Sequence, residues 1–418
     1  MSEQETARDE RAPSRAKIEQ APRPRDEVAE GASKSGDHRE ALKQTAAEFV
    51  RREVLPHLDD WEAAGEVPRD LHRAAAKQGL LGVAFPEHVG GQGGDLLMSI
   101  AMMEGCFEAG ASSGLMAALF TGGIALPHIV ASGDAGLVDR FVRPTLAGEL
   151  IGSLAITEPG GGSDVAALRT TARREGDVYV VDGTKTFITS GVRADHVTTA
   201  VRTGPPDAPG HDALSLLVVE KGTPGFTVDR ALAKTGWHCS DTAELGFSGC
   251  RVPAANLVGE EGTGFAQIAE QFVVERIALA VHGYGIAARS LALTAAYCRE
   301  RGTFGRPLVA RQVVRHTLVE MRRQVEVARA YTHEVARRHV AGEDVVAEAC
   351  LAKQTAVEAA ALVCDRAVQL HGGTGYLTGT EVERHYRDAR ILPIGGGATE
   401  VLTDLAARLM GYTTAERA

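Results

Sequence analysis

A chain of 418 residues with net charge −10, 44% hydrophobic and 24% charged residues has the composition of a soluble globular protein with room for two or three domains. The negative balance argues against nucleic acid or an anionic membrane surface as the main partner, and leaves room for a local patch that takes a phosphorylated ligand. Six cysteines, Cys106, Cys239, Cys250, Cys298, Cys350 and Cys364, show no CxxC pair or Cys/His spacing, so no metal site is expected. They read as buried thiols of a cytoplasmic protein. No signal peptide is evident, and the most apolar run, Leu96 to Ala131, is interrupted by Glu104, Glu108 and several glycines, which argues against a membrane span.

Residues 1–38 are rich in Glu, Arg, Ser, Pro and Ala, and they predict a disordered extension because they bury too little surface to offset ordering entropy. Residues 39–152 read as helical. Leu42, Ala46, Phe49, Val50 and Val54 recur at helix spacing, and long helices are expected over Leu96–Ala109 and Ser113–Ser132. Residues 153–258 change character, with strands at Ser153–Ile156, His196–Arg202, Ala213–Val219 and Ala243–Phe247. Asp182-Gly183, between Val178–Val181 and Thr184–Thr189, predicts a two-residue hairpin turn. Residues 259–418 are helical again, over Phe265–Gly302, Gln312–His339, Val345–Gly372 and Thr399–Met410. The fold class is α+β multidomain, with a β domain set between two helical ones.

The most informative stretch runs from Ala155 to Ser190. Thr157-Glu158-Pro159 leads into Gly160-Gly161-Gly162-Ser163-Asp164, whose bare backbone can approach a flat or phosphorylated ligand, although a plain surface turn has the same composition. Further on come Arg301-Gly302-Thr303-Phe304-Gly305 and Gln369-Leu370-His371-Gly372-Gly373-Thr374-Gly375-Tyr376. In this order the motifs resemble the acyl-CoA dehydrogenase family, over roughly residues 40 to 412.

The resemblance implies a middle β-barrel-like domain, a C-terminal four-helix bundle and bound FAD. By the motif match Leu154, Thr157 and Ser163 would line the isoalloxazine and approach the pyrophosphate, while Phe187 and Thr189 would cover the ring. Relatives often carry Trp where this chain has Phe187. Arg301, Thr303 and Phe304, followed by Gln312, would reach the FAD phosphates of a neighbouring subunit. Gln369 and Gly373 would meet the adenylate side, and Ala398 and Glu400 also fall at cofactor positions. A homo-oligomer, most simply a tetramer, follows from that sharing.

A thioester α-proton is weakly acidic, so its removal needs a positioned base and a donor for the enolate oxygen. Glu275 falls in the apolar stripe Phe265, Ile268, Phe272 and Leu279, where partial burial would raise its pKa, although a glutamate paired with Arg276 or a neighbouring helix fits the same pattern. Many relatives carry their base just after the motif matched by Ile391-Leu392-Pro393-Ile394, where this chain has Gly395-Gly396-Gly397. The isovaleryl-CoA and long-chain subfamilies place it at the position matched by Glu275, so the resemblance assigns the base there and an oxyanion-holding N–H to Gly396. Ser163 and Arg276 would contact the thioester, and Met116 and Phe120 the acyl chain. A further departure is His238, where relatives usually carry Arg.

The expected activity is FAD-dependent α,β-dehydrogenation of an acyl-CoA to the trans-2-enoyl thioester, with electrons passed to an electron-transfer flavoprotein. Alternatives are the same reaction on a carrier-protein-bound acyl group, an oxidase or flavin monooxygenase of the same fold, and a non-catalytic flavin-binding scaffold.

Overall fold

The protein is described here by a computed structural model covering residues 24–205 and 208–412. Helix α1 (Pro24–Phe49) opens on a proline, whose missing N–H costs nothing in a first helical turn. Residues 24–38 are therefore helical where an unstructured extension was expected. Good helix formers such as Glu, Ala and Lys carry the backbone until Leu42, where the chain begins to pack on the core. Residues 1–23 of that extension lie outside the described residues.

After α2 (Leu58–Ala64) and α3 (Arg69–Lys77), Asp95 caps α4 (Leu96–Ala109) by accepting the Met98 N–H, and Ser112 caps α5 (Ser113–Leu119) in the same way. The single helix expected over Ser113–Ser132 is broken at Phe120-Thr121. Gly122 and Gly123 weaken helical continuity there, and α6 (Gly122–Ser132) restarts with Pro127 inside it. The short helices α7 (Ala135–Leu137) and α8 (Arg143–Leu146) complete the domain.

The middle domain is one eight-stranded sheet. Its strands are β1 (Gly152–Ala155), β2 (Thr171–Glu175), β3 (Val178–Thr189) and β4 (His196–Arg202), then, after the one-turn α9 (Gly210–Ala213), β5 (Leu214–Glu220), β6 (Phe226–Ala231), β7 (Thr242–Pro253) and β8 (Leu257–Val258). The order is β6-β7-β3-β2-β4-β5-β8, with β1 parallel to β4. Asp182-Gly183 is not a turn. It lies inside the continuous strand β3, at a register shift against β7, and the hairpin turn sits instead between β2 and β3 at Gly176 (φ 65°). A Cβ on Gly183 would come within 2.6 Å of the Thr170 hydroxyl, so the glycine permits a close crossing and marks a bulge.

The C-terminal domain is built on α10 (Gly264–Glu300), whose 37 residues span about 55 Å. Its first turn lies on the sheet, where a Cβ on Gly264 would meet Ser215 at 2.8 Å, and its far end stands in a bundle with α11 (Gln312–Val340) and α12 (Val346–His371). The hairpin β9 (Gly302–Thr303) and β10 (Arg306–Pro307) joins α10 to α11, and α13 (Glu381–Ala389) and α14 (Thr399–Leu409) close against α12. Buried alanines on all three long helices, including Ala280, Ala287, Ala328, Ala356 and Ala360, let the axes approach closely. All six cysteines are buried and unpaired.

Four buried histidines are held neutral. Burial, helped by the Arg193 and Arg69 charges, lowers His72 to about 3, and burial lowers His128 and His282 each to about 4. His196 is also lowered to about 4 by burial, against a small opposing effect of Asp195. In the unfolded chain these groups take up protons near their ordinary 6.5. Their contribution to stability is therefore full above that value and is lost as pH falls towards 4, on the order of 3 kcal/mol for each. Urea unfolding should show stability falling steeply between pH 6.5 and 4.5, and a flat profile across that interval would contradict neutral burial.

Candidate functional site

Glu275 stands half-buried on α10, one turn before Leu279 and two turns before His282 on the same face. Burial pushes its carboxyl up, opposed in part by the nearby charges of Lys353 and Arg276. The loop Gly395–Gly397 faces this stripe. A Cβ on Gly396 would lie 3.3 Å from Glu275 Oε1 and 2.2 Å from Leu279 Cδ1, and its backbone is left-handed (φ 63°). The two residues that sequence reasoning singled out for the chemistry are thus brought together. Among the described residues the Gly396 N–H donates to no acceptor in the chain. A carboxylate with a raised pKa beside an unused peptide N–H can take a proton from a carbon whose carbonyl oxygen that N–H holds.

Arg276 is buried, lies 5.5 Å from the Phe272 ring centre, and leaves its Nε with no hydrogen-bond partner. An orphaned buried donor beside Glu275 fits an acceptor that comes from a ligand. Helix α5 covers the same stripe, because the Ser113 hydroxyl lies 2.9 Å from His282 Nδ1 and accepts from Trp237 Nε1 at 2.9 Å. Met116 is fully packed on α5, and Phe120 at its end is half-buried in the same apolar cluster as Leu279.

On the sheet, Leu154, Thr157, Phe187 and Thr189 are gathered where β1 meets β3. Ser153 Oγ donates to the Thr189 carbonyl at 2.6 Å, and Thr157 Oγ1 to the Thr186 carbonyl at 2.5 Å. Phe187 sits at a second register shift in β3 with φ 61°, and its ring is 69% exposed. A strained bulge that turns an aromatic side chain outwards, on the same domain as a glycine loop with open space at Gly160 and Gly161, fits a flat heteroaromatic ligand. The glycine loop is anchored by a pair that the sequence reading passed over. Buried Lys185 donates to the Ile156 carbonyl and to Glu158, each at 2.9 Å, and Glu158 also accepts the Arg169 and Thr170 N–H groups. Ser163 is exposed on that loop, and no contact ties it to Arg276.

The remaining residues stand elsewhere. Arg301, Thr303, Phe304 and Gln312 cluster at the far end of α10, where the Thr303 carbonyl accepts from Arg311 at 2.8 Å and Phe304 is 96% exposed with φ 49°. Gln369 and Gly373 are exposed at the end of α12, and Tyr297 joins the two ends by stacking on His371 at 4.3 Å and donating to its carbonyl. Ala398 caps α14, and Glu400 is exposed in its first turn. His238, in place of the usual Arg, has a clear job. Its Nδ1 accepts from Arg387 at 3.1 Å and its Nε2 donates to the Lys234 carbonyl at 3.0 Å, so one neutral tautomer satisfies both.

Sequence reasoning missed Lys353 altogether. It is 1% exposed on α12, and its ammonium donates to the carbonyls of Gly395 (2.5 Å) and Gly397 (2.6 Å). A lone lysine among Ala349-Cys350-Leu351-Ala352 is the one signal that could have found it.

A helical–sheet–helical chain with a carboxylate close to a glycine whose N–H is unused, on the C-terminal bundle, has the design of a flavin-dependent thioester dehydrogenase. The family descriptions agree with it. The N-terminal, middle and C-terminal domains of acyl-CoA dehydrogenase match residues 36–149, 153–250 and 262–411. The chain belongs to the acyl-CoA dehydrogenase family. It is 36% identical, over 90% of its length and 86% of the relative's, to the mitochondrial long-chain specific acyl-CoA dehydrogenase of Rattus norvegicus. Among solved structures it resembles a putative acyl-CoA dehydrogenase from Mycobacterium smegmatis, with 58% identity and a TM-score of 0.88 over 90% of this chain and 98% of that one. A chain of the electron transferring flavoprotein structure from Acidaminococcus fermentans matches at 32% identity and a TM-score of 0.85, covering 89% and 97%.

Gly396→Ala should cost about 1–2 kcal/mol, because an L side chain is strained in the left-handed region and the new Cβ meets Leu279. Adding Leu279→Ala relieves only the contact. The double variant should therefore unfold at lower urea than Leu279→Ala alone, and equal midpoints would show that the backbone there carries no strain.

Proposed function

We propose that this protein is an FAD-dependent acyl-CoA dehydrogenase that converts an acyl-CoA to its trans-2-enoyl thioester and hands electrons to an electron-transfer flavoprotein. The observation that carries the reading is the Glu275 carboxylate, 3.3 Å from where a Cβ on Gly396 would stand, beside a glycine whose N–H has no acceptor among the described residues. The family membership and the match to a chain of an electron transferring flavoprotein structure support it.

In this reading Leu154, Thr157, Phe187 and Thr189 hold the isoalloxazine ring, with Ser163 at the pyrophosphate, Ala398 and Glu400 at the loop side. FAD, when bound, supplies the acceptor for the hydride that leaves the β-carbon. Everything else falls to the chain. Gly396 donates its N–H to the thioester oxygen, and its missing side chain leaves the α-carbon within reach of Glu275. Glu275 takes the α-proton, and the C–H electron pair moves onto the carbonyl, where the N–H meets the developing charge. Arg276 turns its orphaned donor to the thioester end, and Met116 and Phe120 pack the acyl chain.

The assembly is read as a homotetramer. Arg301, Thr303, Phe304, Gln312, Gln369 and Gly373 stand at the far end of a helix about 55 Å long whose first turn lies on the sheet, so they reach a flavin held by another copy's sheet more readily than their own. Phe304, Val313, Val319 and Tyr376 are exposed apolar side chains at that end of the bundle and along α11, a surface suited to a second copy. Sedimentation should show an oligomer at micromolar concentration, and an FAD-saturated active monomer would refute the sharing.

Glu275→Gln keeps shape and polarity but removes the base. The variant should fold, bind FAD and be reduced by acyl-CoA at least about 10²-fold more slowly in stopped flow. Reduction of the wild type should slow as pH falls into a range above that of ordinary carboxylates, because burial raises the pKa of Glu275 and only its ionised form accepts the proton. Near-normal reduction in Glu275→Gln would move the base elsewhere.

A further inference from the structure

The Gly395 carbonyl and the Gly396 N–H belong to one peptide group, and in a trans peptide they point in opposite directions. Lys353 donates to that carbonyl at 2.5 Å and to the next-but-one carbonyl, Gly397, at 2.6 Å. Its ammonium therefore brackets Gly396 and Gly397, holding the carbonyl just before the glycine that faces Glu275 and the carbonyl of the glycine after it. Three consecutive glycines have no side chains to fix their conformation, Gly396 and Gly397 both occupy left-handed backbone, and beyond the Gly395 N–H bond to the Ile391 carbonyl (2.8 Å) the glycine carbonyls that are held are held by this ammonium. A charged donor on a peptide oxygen also draws electron density from the nitrogen and strengthens the N–H on the other side.

We propose that Lys353 is a positioning residue for the α-proton transfer, which orients and polarises the Gly395–Gly396 peptide so that its N–H stabilises the thioester enolate. The inference rests on the reading of Glu275 and Gly396 given above. In the step concerned, the α C–H bond breaks, the proton goes to Glu275, and the electron pair is delocalised onto the thioester oxygen under the Gly396 N–H. Lys353 touches neither substrate nor proton and acts through the peptide alone.

The groups facing Lys353 are Glu275 and Arg276 from α10 and Cys350 on its own helix. Burial brings the ammonium down to about 8 despite the attraction of Glu275. The charged anchor is then present at neutral pH and is lost as pH rises through that value.

The test uses the FAD-loaded enzyme with 3-thiaoctanoyl-CoA, an analogue whose β-sulfur leaves no hydride to lose but whose α-carbon can still ionise. Its enolate gives a long-wavelength charge-transfer band with oxidised flavin. Lys353→Met should retain folding, FAD content and affinity for the analogue, yet raise the pH at which the band appears. It should also slow flavin reduction by acyl-CoA by about 10²-fold or more, as loss of an oxyanion donor does. Lys353→Arg should keep much of the band. An unchanged band and reduction rate in Lys353→Met would overturn the proposal.

If Lys353→Met does not fold, the pH profile decides. Wild-type flavin reduction should decline above pH 8, and Lys353→Arg, which keeps its charge, should lose that decline; a profile the same in both, or flat to pH 10 in the wild type, rejects the idea. Failure of the underlying reading looks different, because Glu275→Gln would then reduce its flavin normally whatever Lys353 does.

Discussion

One buried carboxylate holds the three domains in register. Asp388, on α13, accepts the Trp237 N–H from the middle domain at 2.6 Å and the Gly114 N–H from α5 at 3.0 Å. Burial pushes its pKa up and the neighbouring Glu62 adds to this, while the two N–H bonds pull it back. The joint tolerates no side chains on its own path. A Cβ on Gly114 would lie 2.7 Å from Trp237 Cα, and one on Gly236 would lie 2.4 Å from the Arg387 carbonyl oxygen. Trp237 itself takes a left-handed backbone (φ 54°), a strain that the surrounding contacts must hold in place.

Because that joint fixes α5 and the Trp237 segment together, the indole N–H can reach Ser113 and Ser113 can reach His282 on α10. The stripe Glu275–Leu279–His282 is therefore roofed by a helix from another domain, and the polar chain at its far end is satisfied link by link. Binding clefts commonly form where domains meet. Here the meeting point also sets the depth of apolar wall that Met116 and Phe120 present to an acyl chain. Arg69 of α3, paired with Asp195 at 2.8 Å, and Arg193, held by Asp241 at 2.6 Å while it donates to the Val67 carbonyl at 2.9 Å, make the same kind of link between the N-terminal helices and the sheet domain.

The layout of the domains was legible in sequence because long helices and alternating strands leave strong periodic patterns. Glu275 was legible in part, since an acid in an apolar stripe next to an arginine is unusual. Position-specific detail was harder. Asp182-Gly183 carries the composition of a hairpin turn, but the glycine is needed for the Thr170 crossing, and composition cannot tell a turn from a bulge. Residues 24–38 have no apolar face to signal packing and carry two glycines and two serines, so composition does not reveal their helix. Lys353 and Asp388 were invisible for a common reason. Each is a charge whose partners are backbone groups from distant segments, and backbone groups carry no sequence identity. His238 looked like a loss, yet its two nitrogens take over a donor and an acceptor role that are apparent only once Arg387 and Lys234 are in place.

Placing the acid on α10 and leaving glycines in the loop divides one task between two helices. The carboxylate is carried by α10, and the glycine loop is tied by Lys353 to α12. Their separation therefore depends on how closely these helices pack, and that closeness has a specific cause. A Cβ on Gly283 would come within 2.7 Å of the Ala356 carbonyl oxygen, so the axes approach to a distance only glycine allows. Gly283 follows Glu275 by about two turns, and Ala356 follows Lys353 by just under one. A side chain at 283 would push apart the two anchors of the site without touching either. Helix packing, rather than the loop, thus sets the distance between the carboxylate and the peptide N–H.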